Sequence, residues 1–338
     1  MGQVLARVRN VGVVAESGTG MLGTPAWEGL TESEGSVFQT GAFLRSWWAD
    51  RSAKNPESRL LTAEVVEDEH VIGLCAVELD AGGLSFAGGL DVVDYMGPVA
   101  LAGREKEVAV ALADWMFDEL PWSRAYLAGL VGADAMAQAI TDAVARRAPD
   151  AIVEPYDSAP RIDEAPQGYL QLLNSKRRAD ILRKRSRLVE AAGDLELVDS
   201  TPATVCDALN RLLAWKACSS SATHEFVDEY GSFMRDMASG LAAVDAAHVV
   251  ELHAGDRPVA SAVEFRHRNT TYIYNMAYDM TLSAEGQVAL APGVVLVSLL
   301  IERSLASGLQ FDFLKGAQDY KLRLGGVPVD LIGITVER

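Results

Sequence analysis

One order of secondary-structure elements can be read twice along these 338 residues, and it constrains the fold more than any single motif. Residues 60–79 alternate as two strands around the polar turn Glu67-Asp68-Glu69-His70, and a third strand covers 84–87. A loop at 91–98 leads to an amphipathic helix over 105–120, with Val108, Leu112, Trp115 and Met116 on one face, and then to a strand at 126–130. The second half begins likewise, with strands at 248–253 and 259–266 flanking Ala254-Gly255-Asp256-Arg257 and a third strand at 272–278. After a loop at 279–292 come a helix over 294–307, stopped by Gly308, and a strand at 310–314. Ala76-Val77-Glu78-Leu79 and Ala262-Val263-Glu264-Phe265 stand at matching places. Two copies of β-β-β, loop, helix, β predict a duplicated α/β unit.

Further helices are expected over 41–50, where Phe43, Leu44, Trp47 and Trp48 recur at helical spacing, and over 135–147. The proline-punctuated stretch 159–166 reads as a linker. It divides the chain into domains at 1–158 and 159–338, the second opening on a helix over 168–192 that ends at Gly193. Helices over 204–218 and 225–241 follow.

Composition removes several function classes. A 49% hydrophobic share suits cored domains, yet no apolar run reaches the roughly 18 residues of a membrane span. Residues 1–20 lack the apolar core and cleavage site of a secretory leader. Cys75, Cys206 and Cys218 are odd in number and far apart, which excludes a disulfide framework or cysteine zinc motif and points to a reducing, cytoplasmic setting. A formal net charge of −17 opposes generic binding to nucleic acid or anionic membranes. Lys176, Arg177, Arg178, Arg183, Lys184, Arg185 and Arg187, set against Asp180 alone, form a local exception and a candidate anion site. On that helix Arg178 and Arg185 fall within the apolar stripe of Ile181, Leu182, Leu188 and Val189, so each must find an acid, a carbonyl or a bound anion.

Residues 311–326 concentrate chemistry. Asp312 sits between Phe311 and Phe313, where a lone carboxylate is costly unless paired or solvated in a cleft. Gly316 then breaks the strand into a polar turn carrying Asp319, Tyr320, Lys321 and Arg323, closed by Gly325-Gly326. His70, His224, His248, His253 and His267 make no metal spacing, and neither a Ser-His-Asp arrangement nor a phosphate-cradling P-loop can be read.

Together the motifs Trp27-Glu28-Gly29-Leu30, Ser36-Val37-Phe38-Gln39-Thr40, Trp47-Trp48 and Asp94-Tyr95-Met96-Gly97-Pro98 give the chain a resemblance. With Tyr169, the basic helix, Tyr278-Asp279, Pro292-Gly293, Phe311-Asp312-Phe313 and Tyr320-Lys321, the chain resembles the CelD-like (cellulose biosynthesis protein-like) branch of the GNAT acyltransferase superfamily. That branch is similar to the FemABX aminoacyltransferases. The resemblance implies tandem GNAT-like domains, each a mixed, mostly antiparallel sheet flanked by helices. It also implies transfer of an acyl group from acyl-CoA, such as acetyl-CoA, to the amine of an amino sugar or of an envelope or exopolysaccharide precursor, without a metal. An aminoacyl-tRNA-dependent transferase of FemX type and a catalytically inactive accessory protein are the alternatives. The aromatic–lysine pair important in FemABX relatives matches Tyr320-Lys321. One departure is plain: the Arg/Gln-x-x-Gly-x-Gly/Ala turn of acetyl-CoA-using members is replaced by residues 287–293, with a single glycine.

In this reading Asp312 takes a proton from the amine, Tyr278 or Tyr320 donates to the leaving thiolate, and Lys321 stabilises the oxyanion. Arg178 and Arg185 hold a substrate phosphate or carboxylate, and Asp94 and Tyr95 face the same cleft if the halves pack about a pseudo-twofold. Pro292, Gly293 and Val294, at the start of a helix, meet the donor's phosphate. Alanine at Lys321 is then expected to abolish turnover and leave the melting temperature nearly unchanged.

Overall fold

A computed structural model describes residues 11–283 and 290–338. The first ten residues of the stretch read for a leader, and Gln287, Val288 and Ala289 of the expected phosphate turn, lie outside them. The chain forms two compact units, one running to Tyr156 and taking in Asp330–Arg338, the other covering Asp157–Val329.

In the first unit, strand β1 (Val11–Ser17) precedes helices α1 (Pro25–Glu34) and α2 (Gly41–Lys54). Strands β2 (Arg59–Glu67), β3 (His70–Asp80) and β4 (Gly83–Phe86) follow, then the short β5 (Val99–Ala100). Helix α3 (Glu105–Glu119), strand β6 (Arg124–Val131) and helix α4 (Ala135–Arg147) complete the run. The β2–β3 hairpin turns through Asp68 and Glu69, both at positive φ, as a two-residue turn between twisted strands requires. The sheet order is β1-β2-β3-β4-β6, antiparallel except where β4 meets β6, and its far edge is covered by residues from Leu331 onward.

Strand β7 (Ile152–Ile162) and helices α5 (Tyr169–Leu172) and α6 (Ser175–Ala192) come next. After strand β8 (Leu195–Asp199), helices α7 (Val205–Ala217) and α8 (Ser221–Ala242) lead to strands β9 (Ala247–Ala254), β10 (Arg257–His267) and β11 (Thr270–Tyr278). Helix α9 (Pro292–Ala306), strand β12 (Gln310–Asp312), helix α10 (Asp319–Arg323) and strand β13 (Val327–Glu337) end the chain. The sheet of the second unit has the order β7-β12-β11-β10-β9-β8, antiparallel except for β11 with β12. Each unit is thus a mixed, mostly antiparallel sheet with helices packed on it.

The repeated order of elements is present, with Ala76–Leu79 in β3 and Ala262–Phe265 in β10, each strand lying between two antiparallel neighbours. Two expectations change. The stretch read as a linker is strand as far as Ile162, because Pro160 still offers a carbonyl, which accepts from Phe313 N at 2.9 Å. The helix expected over 168–192 is two helices, since the Asn174 side chain accepts from Arg177 N and starts α6 afresh after Leu173.

Helix α9 organises the second core. Apolar nearly all round, it buries Val295, Leu296, Val297, Leu300 and Ile301. Those side chains share a cluster with Val250, Ala262, Ile273 and Phe311 of the sheet and with Tyr169, Ile181 and Leu188 of α5 and α6. Among the described residues no helix is long and apolar enough to cross a membrane.

Candidate active site

The site begins where two parallel strands part. β11 pairs with β12 only through Thr270–Tyr272 against Gln310–Asp312, yet β11 runs on to Tyr278. β12 leaves because the chain turns: Leu314 sits at φ 58, and Asp312 Oδ1 accepts from Leu314 N at 2.7 Å. The ammonium of Lys321, only 4% exposed, donates to Leu314 O at 3.0 Å and to Lys315 O at 2.6 Å. Asp312 and Lys321 therefore hold the turn that ends the strand pairing. On its other side β11 carries a bulge, with Tyr274 extra between Ile273, opposite Glu264, and Asn275, opposite Val263.

The gap beyond Tyr272 is a cavity of about 380 Å³. One wall is Met276, Ala277 and Tyr278 of β11. A second is the start of α9, Ala291, Gly293 and Val294, where Ala291 at φ 48 turns the chain into the helix and Pro292 takes its first turn. Gly293 is fixed by space: a Cβ there would lie 2.6 Å from Met276 Cε and 3.1 Å from Tyr278 Cδ1. Tyr320 lines the cavity from α10, and burial pushes its phenol up to about 12. Trp215, Lys216, Ser219 and Thr223, from the corner between α7 and α8, close the opposite side.

That corner is built by local hydrogen bonds. Ser219 Oγ donates to Lys216 O at 2.9 Å, and Ser220 with Thr223 forms the capping box that starts α8. Lys216 lies 5.0 Å from the centre of the Phe226 ring, and burial pulls its pKa down. Sequence reasoning missed Lys216 and Trp215. A cation in the last turn of an amphipathic helix looks like an ordinary dipole partner. The capping-box spacing just after it was the available signal.

The other expected site residues are dispersed. Tyr278 and Tyr320 meet at the cavity with Gly293 and Val294, and Pro292 lies beside them in the first turn of α9. Asp312 and Lys321 stand behind the cavity wall rather than in it. Arg185 is engaged structurally: its guanidinium donates to Ser298 O at 3.0 Å and to Glu302 at 2.7 Å, pinning α6 to α9. Arg178 donates to Leu173 O at 3.1 Å across the break between α5 and α6. Asp94 and Tyr95 belong to the first unit, where Tyr95 packs edge-on against Phe38 at 6.0 Å. Among the described residues no cluster of His, Cys, Asp and Glu has the makings of a metal site.

Parallel strands that part beside a helix start mark a ligand position in α/β sheets generally. Residues 175–322 match the acetyltransferase (GNAT) domain family. The match contains every described residue that lines the cavity. No curated protein matches the sequence. Among solved structures, a conserved protein of unknown function from Bacteroides thetaiotaomicron is similar at a TM-score of 0.59 and 13% identity, over 92% of this chain and 95% of that one. The C-terminal domain of a provisionally assigned lysylphosphatidylglycerol synthetase from Agrobacterium fabrum is similar at 0.51 and 10% identity, over 78% and 80%. FemX follows at 0.48 and 12% identity, over 92% and 95%. At these identities the likeness is one of fold. The family match supports an acyltransferase domain over residues 175–322, and the CelD-like branch in particular has no support beyond the sequence motifs.

Proposed function

We propose that the second unit is an acyltransferase that moves an acyl group from acyl-CoA to the amine of a small acceptor, an amino sugar or envelope or exopolysaccharide precursor. The observation that carries this reading is the open edge of β11 beside the first turn of α9. Residues 273–278 leave the parallel ladder, so an extended donor chain can lie along them and be held by main-chain groups. The α9 N-terminus, with Pro292, Gly293 and Val294, presents the positive end of a helix dipole to a donor phosphate. Gly293 supports the fit, since a side chain there would push into Met276 and Tyr278 and displace the wall along which the donor lies.

Transfer joins the acceptor nitrogen to the thioester carbonyl carbon and breaks the carbon–sulfur bond, with one proton moving from nitrogen to sulfur. Tyr320 and Tyr278 are the donors within the cavity, and Tyr320 keeps its proton throughout the neutral range because burial holds its pKa near 12. In this scheme Asp312 and Lys321 are positioning residues: they hold the turn that presents Tyr320 and opens the strand edge.

The reading is tested by melting the protein with and without acetyl-CoA or longer acyl-CoA, and by following thiol release with a panel of amines. Stabilisation with turnover supports it. The exposed Lys176, Arg177 and Arg183 of α6 favour a second reading, an aminoacyl-tRNA-dependent transferase. Salt-sensitive retention of charged tRNA, without any response to acyl-CoA, would select that reading. Silence in both assays would leave an accessory binding role.

A further inference from the structure

The cavity has an electrostatic asymmetry that bears on the acceptor. Lys216 is the single charged side chain among its described lining residues, in a protein whose formal net charge is −17. The ammonium is half-buried, and its recorded partner is the face of Phe226 rather than a carboxylate. Asp279, between the lining residues Tyr278 and Met280, accepts from Arg257 at 2.6 Å and from Thr281. A desolvated cation without a counter-ion is costly, and a bound anion is the remedy that also returns binding energy. The opposite wall, at the start of α9, is electropositive as well. No acid is among the described residues that line the cavity.

Resting on the acyltransferase reading, we propose that the acceptor is an amine that also carries an acidic group, a carboxylate or a phosphate, and that Lys216 is the residue that binds this group. The donor takes the β11 edge and the α9 turn, and the acceptor enters against the α7–α8 corner. Trp215 and Met276 supply an apolar surface for its body, and Lys216 fixes the end remote from the reacting nitrogen. Ser219 and the capping box keep the corner, and with it the Lys216 backbone, in place.

The test compares matched amines by calorimetry on the full chain: glucosamine 6-phosphate against glucosamine, and phenylalanine against phenylalaninamide. The expected result is that the acidic member of one pair binds at least about tenfold more tightly, as a charge-assisted hydrogen bond supplies. Which pair shows the preference tells phosphate from carboxylate. Lys216→Met should bring that pair within about twofold, and Lys216→Arg should restore the preference because it keeps the charge. Unchanged melting temperatures in both variants show that the fold is intact. The proposal is overturned if neither acidic amine binds the wild type, if the preference survives Lys216→Met, or if Lys216→Arg behaves like Lys216→Met. Acyl transfer is scored separately by thiol release. Lys216-dependent preference without transfer would sink the acyltransferase reading alone, and transfer to neutral amines independent of Lys216 would sink this inference alone.

Discussion

The two units start from one plan and end with opposite treatments of the same gap. In the second, β11 outruns its parallel partner and leaves about 380 Å³ beside Gly293. In the first, β4 pairs with β6 through Leu84 and Ser85 and stops at Phe86. Gly88 and Gly89, at φ 136 and 72, send the chain back, and Met96 N donates to Gly129 O at 2.9 Å, beyond the residues of β6 that β4 pairs. Met96 is 7% exposed, and the small void beside Gly97 holds about 10 Å³, room for a single water at most. The helix starts differ as well. Arg104, ahead of α3, is clamped by Glu67 at 2.8 and 2.9 Å, whereas Ala291, ahead of α9, lines the cavity. At this gap one copy of the plan is packed shut and the other kept open, a contrast that supports the proposal of chemistry in the second.

Closing the open copy should have the largest effect. Gly293→Val places methyl groups where Met276 and Tyr278 already stand, so turnover should fall by about 100-fold or more while acetyl-CoA no longer raises the melting temperature. Next comes Lys321→Ala. Its ammonium satisfies two carbonyls in a buried turn, so urea unfolding should show a loss of about 2–4 kcal/mol. This reverses the expectation from sequence that alanine there spares stability. Met96→Ala probes the closed copy: it should cost about 2–3 kcal/mol without creating acyl-CoA binding in a variant whose second unit carries Gly293→Val. Binding in that double variant would break the comparison.

Smaller effects sharpen it. Tyr320→Phe should lower turnover about tenfold with little change in melting, and the wild-type pH profile should show no Tyr320 limb below about 12. At the back of the second sheet, burial pushes the Asp199 carboxyl upward, but hydrogen bonds from Arg266 and Arg303 outweigh it and hold the group below the usual range. A depressed carboxyl stabilises the fold above its unfolded pKa, roughly 4, and loses that contribution as pH falls through the folded value. Urea midpoints should accordingly drop between pH 5 and pH 3 by more in the wild type than in Asp199→Asn, with the pH range given by about those values.

Much of this was legible because it is local. Hairpins announce themselves through alternation and turn residues, α3 through its apolar face and α9 through the stop at Gly308, so the duplicated order could be read directly. β13 could not: Val327–Glu337 mixes Pro328 and Gly333 into its alternation, and its pairing with β6 is distant in sequence. The site was half legible. Tyr278, Gly293 and Tyr320, named from a strand end, a helix start and the resembling aromatic–lysine pair, line the cavity. Arg185 was given a chemical role because a cation in an apolar stripe signals a partner without saying which, and Lys321 because the family resemblance singles out the Tyr320-Lys321 pair. Here the partners are Ser298, Glu302 and the carbonyls of Leu314 and Lys315. Lys216 was missed, since the capping-box spacing after it marks a helix start and only the folded corner of α7 and α8 brings the lysine to the cavity.

The pairing of β6 with the final strand sets an order of birth. Val131 of the first unit waits for Leu331, which a ribosome adds only after the whole second unit has been made. Until then β6 offers the nascent chain an unsatisfied edge, the kind that invites wrong partners or a chaperone. A ribosome stalled anywhere short of Asp330 should hold a first unit still open to protease along β6, however completely its hairpins have formed.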